Sequence, residues 1–211
     1  MKKYKLLDCY SAAGGASYGY HLAGFEVVGV DIDPQPHYPF KFYQGDAIDF
    51  IHAYGMDFDV IAGSPPCQLY TKAQRIMKNS HPDLIDPTRE AMIDTGKPYI
   101  IENVPDSPLK NPVELCGAMF GLRTYRHRLF ESNVDLWVPK HPKHIAPNAK
   151  MGRRVKDGEF MHIVGNFSGV PLAREIMGID WMVRDELKEA IPPIYTKFLG
   201  DQLMEYLDGR S

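Results

Sequence analysis

Phe58-Asp59-Val60-Ile61-Ala62-Gly63-Ser64-Pro65-Pro66-Cys67-Gln68 is the stretch that decides the fold. Its first half, Phe58 to Ala62, is a short and nearly continuous apolar run, which is typical of a strand buried on both faces of a parallel sheet. The two prolines must end that strand, because proline cannot donate a ladder hydrogen bond and fixes its own φ angle. The stretch therefore predicts a buried strand that delivers a cysteine on a loop at its carboxyl end.

Three further runs of the same kind, Tyr4 to Cys9, Glu26 to Val30 and Tyr99 to Ile101, alternate with segments that can form helices. Alternating strands and helices predict an α/β fold with a doubly wound, mostly parallel sheet that binds ligands at the carboxyl ends of its strands. The unusual residues of the chain fall at those ends: Ala13-Gly14-Gly15, Asp31 and Asp33, Pro65-Pro66-Cys67, and Glu102-Asn103. We therefore expect one ligand-binding crevice along this edge of the sheet.

Size and composition favour one main domain outside the membrane. The chain has 211 residues, of which 44% are apolar, and no apolar run approaches the roughly 20 residues that span a bilayer. Its basic amino terminus leads into only Leu6-Leu7 before Asp8, so it lacks the long apolar core of a secretory signal. The expected location is the cytoplasm.

The character of the chain changes after Glu131. Nine Lys and Arg stand against two acidic residues between positions 123 and 156, although the net charge of the whole chain is −3. Prolines and glycines interrupt residues 132–170, which predicts a small, loop-rich, basic lobe between a catalytic domain, 1–131, and C-terminal helices, 171–211. The first of these helices ends at Gly178, and Pro192-Pro193 opens the last one. A basic lobe suits phosphate binding, although a basic stretch is more often a solvated face.

The glycine turn after the first strand and the acidic residues after later strands describe a pocket for an adenosine-bearing cofactor. Ser11 to Gly15 has glycines that let backbone amides approach a ligand, but it lacks the Gly-x-Gly-x-x-Gly pattern of NAD-binding proteins. Asp31 is placed to accept hydrogen bonds from ribose hydroxyls, Ile32 offers an apolar surface for an adenine, and Asp46 could accept from the adenine amino group. Taken singly, Asp31 and Asp46 are equally suited to capping a helix or a turn.

Cys67 and Glu102 are the candidate catalytic residues. The three cysteines of the chain are too widely spaced for a disulfide framework or a Cys-x-x-Cys metal site, and we interpret Cys9 and Cys116 as inert buried thiols. Cys67 differs because it lies at the ligand edge, where donors or positive charge must increase its thiolate fraction. Burial should raise the pKa of Glu102 until it can donate to a ring nitrogen. A salt bridge with an arginine of Arg126-His127-Arg128 is its alternative role, and the two roles are compatible.

Five blocks of the sequence resemble, in order, the motifs of the carbon-5 cytosine DNA methyltransferase family. They are Asp8 to Gly15 with Gly19, Asp31-Ile32-Asp33, Gly63 to Gln68, Glu102-Asn103-Val104 and Arg126-His127-Arg128; the stretch Ala190 to Gln202 looks like the family's last motif. Pro-Pro-Cys-Gln with Glu-Asn-Val 35 residues later is a highly specific pair. The resemblance implies a Rossmann-like methyltransferase fold and S-adenosylmethionine as cofactor, with S-adenosylhomocysteine as its product and no metal.

The resemblance also implies a role for each site residue. Cys67 would attack carbon 6 of a cytosine flipped out of double-stranded DNA, Glu102 would hold its ring nitrogen 3, and Arg128 would contact its carbonyl oxygen while Arg126 braces the site. The other implied positions are Pro66 and Asn103 in the catalytic site; Tyr10, Ser11, Ala13, Gly14, Gly15, Asp31, Ile32, Asp46, Pro65, Gly200 and Asp201 at the cofactor; and Gln68, Lys140, Lys143, Arg153 and Arg154 at the nucleic acid.

The chain departs from the family pattern at single residues and in one whole region. Ala12 stands where a glycine is usual, Tyr10 where a phenylalanine is usual, and Thr124 where a glutamine is common. The largest departure is the lobe, whose forty or so residues replace a long target-recognition region. It offers few side chains for base edges, which predicts short or relaxed sequence specificity, or recognition supplied by a partner or a second copy.

Two other functions stay open at this point. One branch of the family modifies tRNA, so the same chemistry could act on RNA. The chain could also be a non-catalytic accessory subunit that binds cofactor or nucleic acid, although an idle site has no physical reason to retain Cys67, Glu102 and both arginines. Within this family, so compact a chain is associated with phages and mobile elements. The expected location is therefore the cytoplasm of a bacterial or phage-infected cell. The oligomeric state and the biological role, whether restriction–modification, evasion of host defence or regulation, are not evident from the sequence.

Overall fold

The computed structural model describes residues 3–66 and 83–209, which form a seven-stranded sheet with helices on both faces. The strands are β1 (Lys5–Cys9), β2 (Glu26–Asp31), β3 (Lys41–Gln44), β4 (Val60–Gly63), β5 (Tyr99–Asn103), β6 (Val113–Leu115) and β7 (Arg128–Ser132). The helices are α1 (Gly15–Leu22), α2 (Ala47–Tyr54), α3 (Ile85–Asp94), α4 (Val170–Met177), α5 (Arg184–Leu187) and α6 (Pro193–Asp208), with short 3-10 turns at Gly55–Asp57 and Gly117–Phe120. Cys67 and Gln68 lie outside the described residues.

The strand order is β3-β2-β1-β4-β5-β7-β6. Strands β1 to β5 pair in parallel, whereas β7 runs antiparallel to β5 and β6 runs antiparallel to β7. The order reverses at β1, where the crevice at the carboxyl ends of the strands opens. The predicted α/β fold with a doubly wound, mostly parallel sheet is therefore confirmed.

Alternate side chains of β1 enter two different cores. Leu6 faces the layer of α1 and α6, where it belongs to the cluster that contains Tyr20 and Tyr195. Leu7 faces the layer of α2 and α3, with Ile51 and Met92. Both leucines are fully buried, as expected of a central parallel strand with a side-chain period of two.

Helix α6 closes one face of the sheet by packing on α1. The hydroxyl of Thr196 donates to the carbonyl of Ala16 at 2.8 Å, 180 positions earlier in the chain. Pro192 precedes this helix, and α4 ends before Gly178, whose φ is 67°, so both predicted helix boundaries are confirmed. None of the described helices combines the length and the apolar character needed to cross a bilayer.

Residues 133–169 contain no helix, and among the described residues of this segment the one strand pairing is the isolated bridge between Asn148 and Phe160. The end of the segment packs with the helices that follow it, because Met161, Ile163 and Phe167 share a buried cluster with α4 and α5. The predicted boundary at residue 170 stays a prediction, and the packing runs across it.

A buried ion pair fastens α3 to the antiparallel edge of the sheet. Arg89 and Glu131 are 2% and 3% exposed, and the guanidinium donates from Nε to Oε1 at 2.6 Å and from Nη2 to Oε2 at 2.8 Å. Burial acts to raise the pKa of Glu131, but hydrogen bonds from Arg89 and from the backbone of Lys110 outweigh it and hold that pKa below its ordinary value.

Replacing Glu131 by Gln should lower the free energy of unfolding by about 3 kcal/mol at pH 7, because Arg89 loses its buried partner. The carboxylate's contribution exists above the ordinary pKa of about 4.3 and is lost as the pH falls through the lower folded pKa. The gap between wild type and variant should therefore close in acid. Urea denaturation against pH measures this, with exposed Glu205→Gln as a control expected to change stability by less than about 0.5 kcal/mol. Equal midpoints for wild type and Glu131→Gln at pH 7 would contradict the assignment.

Candidate active site

The Pro-Pro-Cys stretch and the Glu-Asn-Val stretch are joined by a buried hydrogen bond. The side-chain amide of Asn103, at the end of β5, donates from Nδ2 to the carbonyl of Pro65 at 3.0 Å, and its Oδ1 accepts from the backbone of Val104 at 2.9 Å. Asn103 is 1% exposed. Pro66, the last described residue before the gap, is exposed at this edge, and Cys67 follows it in the sequence. Asn103 thus sets the backbone from which the cysteine continues.

Glu102 is a buried carboxyl that faces Arg128. Arg128 Nε lies 2.8 Å from Glu102 Oε1, an ion pair whose approach is not that of an aligned hydrogen bond. Burial raises the pKa of Glu102, while Arg128, Ser64 and Arg126 oppose that rise only in part. The expected rise in pKa and the alternative salt bridge are both present, so Glu102 is a buried carboxyl that an arginine holds in place.

Arg126 braces the lobe against the rest of the chain. Its guanidinium donates to three backbone carbonyls, those of Ala190 at 2.7 Å, Ile163 at 2.8 Å and Lys188 at 2.8 Å. Arg126 itself has a φ of 33°, and its carbonyl accepts a hydrogen bond from the hydroxyl of Tyr195 at 3.0 Å. This geometry is that of a positioning residue.

A cavity of about 570 Å³ opens beside the two arginines. Its walls come from Val104 and Pro105 after β5, from the segment 124–128, and from lobe residues 162–164. The volume is within the range of about 300–1,000 Å³ that small-molecule sites have. The cavity therefore offers room for a base-sized ligand between the end of β5 and the lobe.

The glycine turn after β1 has the strained backbone that a close ligand approach requires. Gly14 begins α1 with a φ of 86°, and the two non-glycine residues Tyr10 and Ala12 also have positive φ values, 57° and 42°. The turn is held by hydrogen bonds from Gly14 to the carbonyl of Ser11 and from Ser11 to the carbonyl of Val30. The left-handed angle at Ala12 gives the physical reason why a glycine suits this position.

Asp31 ties the end of β2 to the glycine turn. Its Oδ2 accepts from the backbone of Ala12 at 2.8 Å, and its Oδ1 accepts from the backbone of Asp33 at 3.1 Å. The turn-capping role considered for Asp31 is therefore present, and each carboxylate oxygen has a further lone pair for a ribose hydroxyl. Ile32 beside it is 64% exposed, which leaves an apolar surface for an adenine.

Asp46 caps a helix, the other role considered for it. Its Oδ1 accepts from the backbone of Ile48 at 2.9 Å and of Asp49 at 3.0 Å at the start of α2. A contact from Asp46 to a cofactor would therefore fall to Oδ2. Tyr10, at the first strand end, directs its hydroxyl to Thr88 at 2.8 Å, and burial raises its pKa to about 12.

A hydrogen-bond network lies beneath the glycine turn in the structure, and sequence reasoning missed it. The hydroxyl of Ser17 donates to the carboxyl of Asp8 and accepts from the hydroxyl of Tyr38 at 2.8 Å. Burial raises the pKa of Asp8 to about 7. The sequence signal for Tyr38 is Gly29, a glycine within a buried strand, where a Cβ would lie 2.3 Å from the tyrosine ring.

Gly200 and Asp201 make other contacts on α6 in the structure, and their predicted contact with a cofactor stays a prediction. A Cβ at Gly200 would lie 2.8 Å from Cβ of Ala23. Ala23 follows the end of α1, so about 12 Å of helix separates this contact from the glycine turn. Asp201 is on the solvent side, paired with Lys197 at 2.7 Å. The small residue Gly200 allows α6 to pack closely on the end of α1, and the carboxylate of Asp201 forms a surface ion pair. Ala13, at the turn itself, has its carbonyl bound by the indole nitrogen of Trp181 at 2.8 Å.

Three of the predicted phosphate contacts are exposed, and the fourth has an acidic partner. Lys140, Lys143 and Arg154 are exposed on the lobe. Arg153 instead forms a two-pronged ion pair with Glu159, at 2.8 Å from Nη1 to Oε2 and 2.5 Å from Nη2 to Oε1. Because Glu159 neutralises it locally, Arg153 is less suited to phosphate than the other three.

Comparison with solved structures finds the same fold in methyltransferases. A prophage-encoded protein of E. coli, described as a candidate DNA modification methyltransferase, has a TM-score of 0.71 at 15% identity, over 98% of this chain and 100% of that one. The S. pombe Dnmt2 methyltransferase has a TM-score of 0.64 at 12% identity, over 98% and 100%. The Entamoeba histolytica methyltransferase EhMeth has a TM-score of 0.63 at 12% identity, over 98% and 99%.

These likenesses confirm the Rossmann-like methyltransferase fold that the sequence motifs imply, and they agree with the resemblance to a compact carbon-5 cytosine methyltransferase. No family model matches the sequence, and no curated protein matches it either. At such low identities the structural likeness establishes the fold, and the activity must be argued from the site.

Replacing Arg126 by Lys should lower the free energy of unfolding by about 2 kcal/mol, because one ammonium group cannot reach three carbonyls in the plane of a guanidinium. It should also speed protease cleavage within residues 133–160, which lose their anchor. Denaturation and limited proteolysis measure both effects. Arg123→Lys, a substitution three residues earlier in the chain, is the matched control and should behave as wild type. A variant as stable and as protease-resistant as that control would show that the three contacts are dispensable.

Proposed function

We propose that this chain is an S-adenosylmethionine-dependent DNA methyltransferase that acts on carbon 5 of cytosine through a covalent bond to Cys67. The observation that carries the proposal is the buried junction at the end of β5. There Glu102 faces Arg128 at 2.8 Å, and the neighbouring Asn103 holds the carbonyl of Pro65 at 3.0 Å. One strand end thus links the loop of the proposed nucleophile to a carboxyl of raised pKa.

The glycine turn and the neighbouring end of β2 together fit the adenosine portion of S-adenosylmethionine. Asp31 has carboxylate lone pairs for ribose hydroxyls and Ile32 is an exposed apolar side chain beside it. Gly14 and Gly15 bring the amino end of α1 to the same edge. When bound there, S-adenosylmethionine would supply the methyl group.

The side chains on the other side of the crevice would handle the base. The Cys67 thiolate forms a bond to carbon 6, and the ring electrons move towards carbon 5 and ring nitrogen 3. Glu102 donates a hydrogen bond or a proton to ring nitrogen 3, which stabilises the charge that develops there. Carbon 5 would then take the methyl group as the bond from that group to the sulfonium sulfur breaks, which would leave S-adenosylhomocysteine. Loss of the carbon-5 proton to a solvent base would re-form the carbon–carbon double bond as the Cys67 sulfur leaves carbon 6 and nitrogen 3 returns any proton to Glu102.

Two arginines would have different duties in this reaction. Arg128 is 16% exposed at the side chain and pairs with Glu102, so it can both orient that carboxyl and reach the carbonyl oxygen of the base. Arg126 uses its guanidinium on three backbone carbonyls, so it would keep the lobe in position and not touch the substrate.

Duplex DNA is the proposed substrate because exposed cations lie on the lobe that forms part of the cavity wall. Lys140 and Lys143 share a surface depression with His144, which also lines that cavity, and Arg154 is exposed on the same lobe. Such charges bind phosphates without reading sequence, and a base in the cavity would have to leave the helical stack. We therefore propose short or relaxed specificity, with a partner or second copy as the source of any longer recognition.

Incubation with duplex DNA that contains 5-fluorocytosine and with labelled S-adenosylmethionine tests the nucleophile. Fluorine on carbon 5 cannot leave as a cation, so wild type should accumulate a covalent complex and Cys67→Ala should form none. Cys9→Ala, at a buried cysteine on β1, is the matched control for removal of a thiol, and the folded variant should still form the complex. A wild type that forms no complex, or an undiminished complex with Cys67→Ala, would overturn the mechanism.

The same assay separates the other two functions. Methyl incorporation into tRNA in preference to duplex DNA would move the chemistry to RNA. Binding of S-adenosylhomocysteine and DNA without any methyl transfer or covalent complex would identify an accessory protein. Bisulfite sequencing of DNA from cells that express the protein would then report the sequence context of modification.

Replacing Glu102 by Gln should lower turnover by roughly 10²- to 10⁴-fold, because an amide cannot supply a proton to ring nitrogen 3. Affinity for S-adenosylhomocysteine, measured by calorimetry, should not change. Exposed Glu205→Gln controls for loss of a carboxylate and should retain full turnover. If Glu102→Gln methylates at the wild-type rate, Glu102 serves only to balance the charge of Arg128.

A further inference from the structure

A cysteine and three histidines, none of which has a role in the proposed reaction, converge at the edge of the sheet beside the cavity. They are Cys116 after β6, His127 immediately before β7, and His141 and His144 in the lobe. One ligand atom from each lies within 4.8 Å of all the others. From the sequence Cys116 is interpreted as an inert thiol, and neither the spacing of the cysteines nor the family resemblance predicts a metal. The fold brings them together.

We propose that Cys116, His127, His141 and His144 bind one zinc ion. Four ligands around zinc, with Zn–N of about 2.0 Å and Zn–S of about 2.3 Å, lie about 3.3 to 3.6 Å apart in a tetrahedron. Cys116 Sγ is 3.4 Å from His144 Nε2, and His127 Nε2 is 3.1 Å from His141 Nε2. These two separations are close to those of a tetrahedral site, and since the remaining ones do not exceed 4.8 Å, side-chain rotations of about 1 Å would complete it.

The donor set selects zinc among the common ions. Imidazole nitrogen with thiolate sulfur suits zinc, whereas magnesium and calcium need oxygen ligands. On binding, the Cys116 thiol would release its proton to water and the three imidazoles would donate lone pairs in their neutral form. Four protein ligands leave no open position for a water molecule, so the ion would be structural and take no part in methyl transfer.

The surroundings hold the four side chains in place. Cys116 is fully buried, and the ring of His144 stacks on Tyr125 with centroids 3.6 Å apart. The rings of His127 and His141 stack at 5.3 Å with 10° between their planes. Packing of this kind reduces the entropy that ligands lose when they bind a metal.

A zinc ion here would fasten the lobe to the sheet. His141 and His144 belong to the segment 133–169, which has no helix, whereas Cys116 and His127 adjoin strands β6 and β7. His127 stands between Arg126 and Arg128 in the sequence, so the ion would also fix the backbone from which both arginines extend. Lys140 and Lys143 lie beside the two lobe histidines, so the ion would set the position of the proposed phosphate contacts as well.

Metal analysis of the purified full chain tests the proposal. After incubation with zinc and removal of unbound ion, wild type should hold about one zinc per chain. Replacement of zinc by cobalt(II) should give the intense visible bands of tetrahedral cobalt and a near-ultraviolet thiolate charge-transfer band. Chelation should lower the melting temperature by at least about 5 °C, and added zinc should restore it.

Four variants assign the site. Cys116→Ser should lose the thiolate band and the zinc, and exposed His144→Gln should lose the zinc without removing a buried group. Cys67→Ser should lose methyl transfer but keep the zinc and the thiolate band. The control variant, exposed His52→Gln, should keep methyl transfer as well as the zinc. The two proposals can therefore fail separately. Wild type without bound zinc or a thiolate–cobalt band would overturn the zinc site, whatever its activity, and so would a folded His144→Gln that retains full zinc.

Discussion

Three backbone carbonyls, from Ile163, Lys188 and Ala190, converge on the guanidinium of Arg126. Two of them precede α6 and one belongs to a segment without regular secondary structure, so each would otherwise need a donor of its own in a partly buried place. A planar cation with five N–H groups satisfies all three at once. This one side chain therefore links the lobe and the connection before α6 to the segment that leads into β7.

Arg128, at the start of β7, has a different set of partners from Arg126. Arg128, two residues along, places its Nε 2.8 Å from Glu102 Oε1 and donates from Nη1 to the carbonyl of the neighbouring His127 at 2.8 Å. The carboxyl stays buried with a raised pKa, because one arginine at 2.8 Å offsets only part of the cost of burial. The fold thus gives the two arginines different partners, three backbone carbonyls for Arg126 and a buried carboxyl for Arg128, which the sequence pattern Arg-His-Arg alone does not reveal.

Much of the fold could be predicted because its central strands are local signals. The apolar runs around Leu6, Val28, Ile61 and Ile100 mark strands buried on two faces, and the residues that interrupt them mark the ligand edge. Strand β7 carries Arg128 and Glu131 instead of such a run, so its antiparallel pairing with β5 depends on contacts distant in sequence. The ion pair between Arg89 and Glu131, 42 positions apart, is of the same kind.

The candidate site was also predictable in part, because Glu102, Asn103 and the glycine turn each lie at or directly after the end of a strand. Their environment is decided by partners from other parts of the chain, as with Tyr38 beneath the turn and Arg128 beside Glu102. Gly200 illustrates the same point, because a glycine that serves helix packing and a glycine that serves a ligand look the same in a sequence.

The contact between α1 and α6 has a kinetic consequence. The hydroxyl of Thr196 reaches the carbonyl of Ala16 across 180 positions, so the inner face of α1 stays uncovered until the ribosome has passed Thr196 and the helix around it. Loop closure over such a span is slow compared with the formation of local turns. The nascent chain therefore carries exposed apolar side chains on β1 and α1 while all of the intervening residues are made, and its yield in a cell should depend on chaperones that bind them.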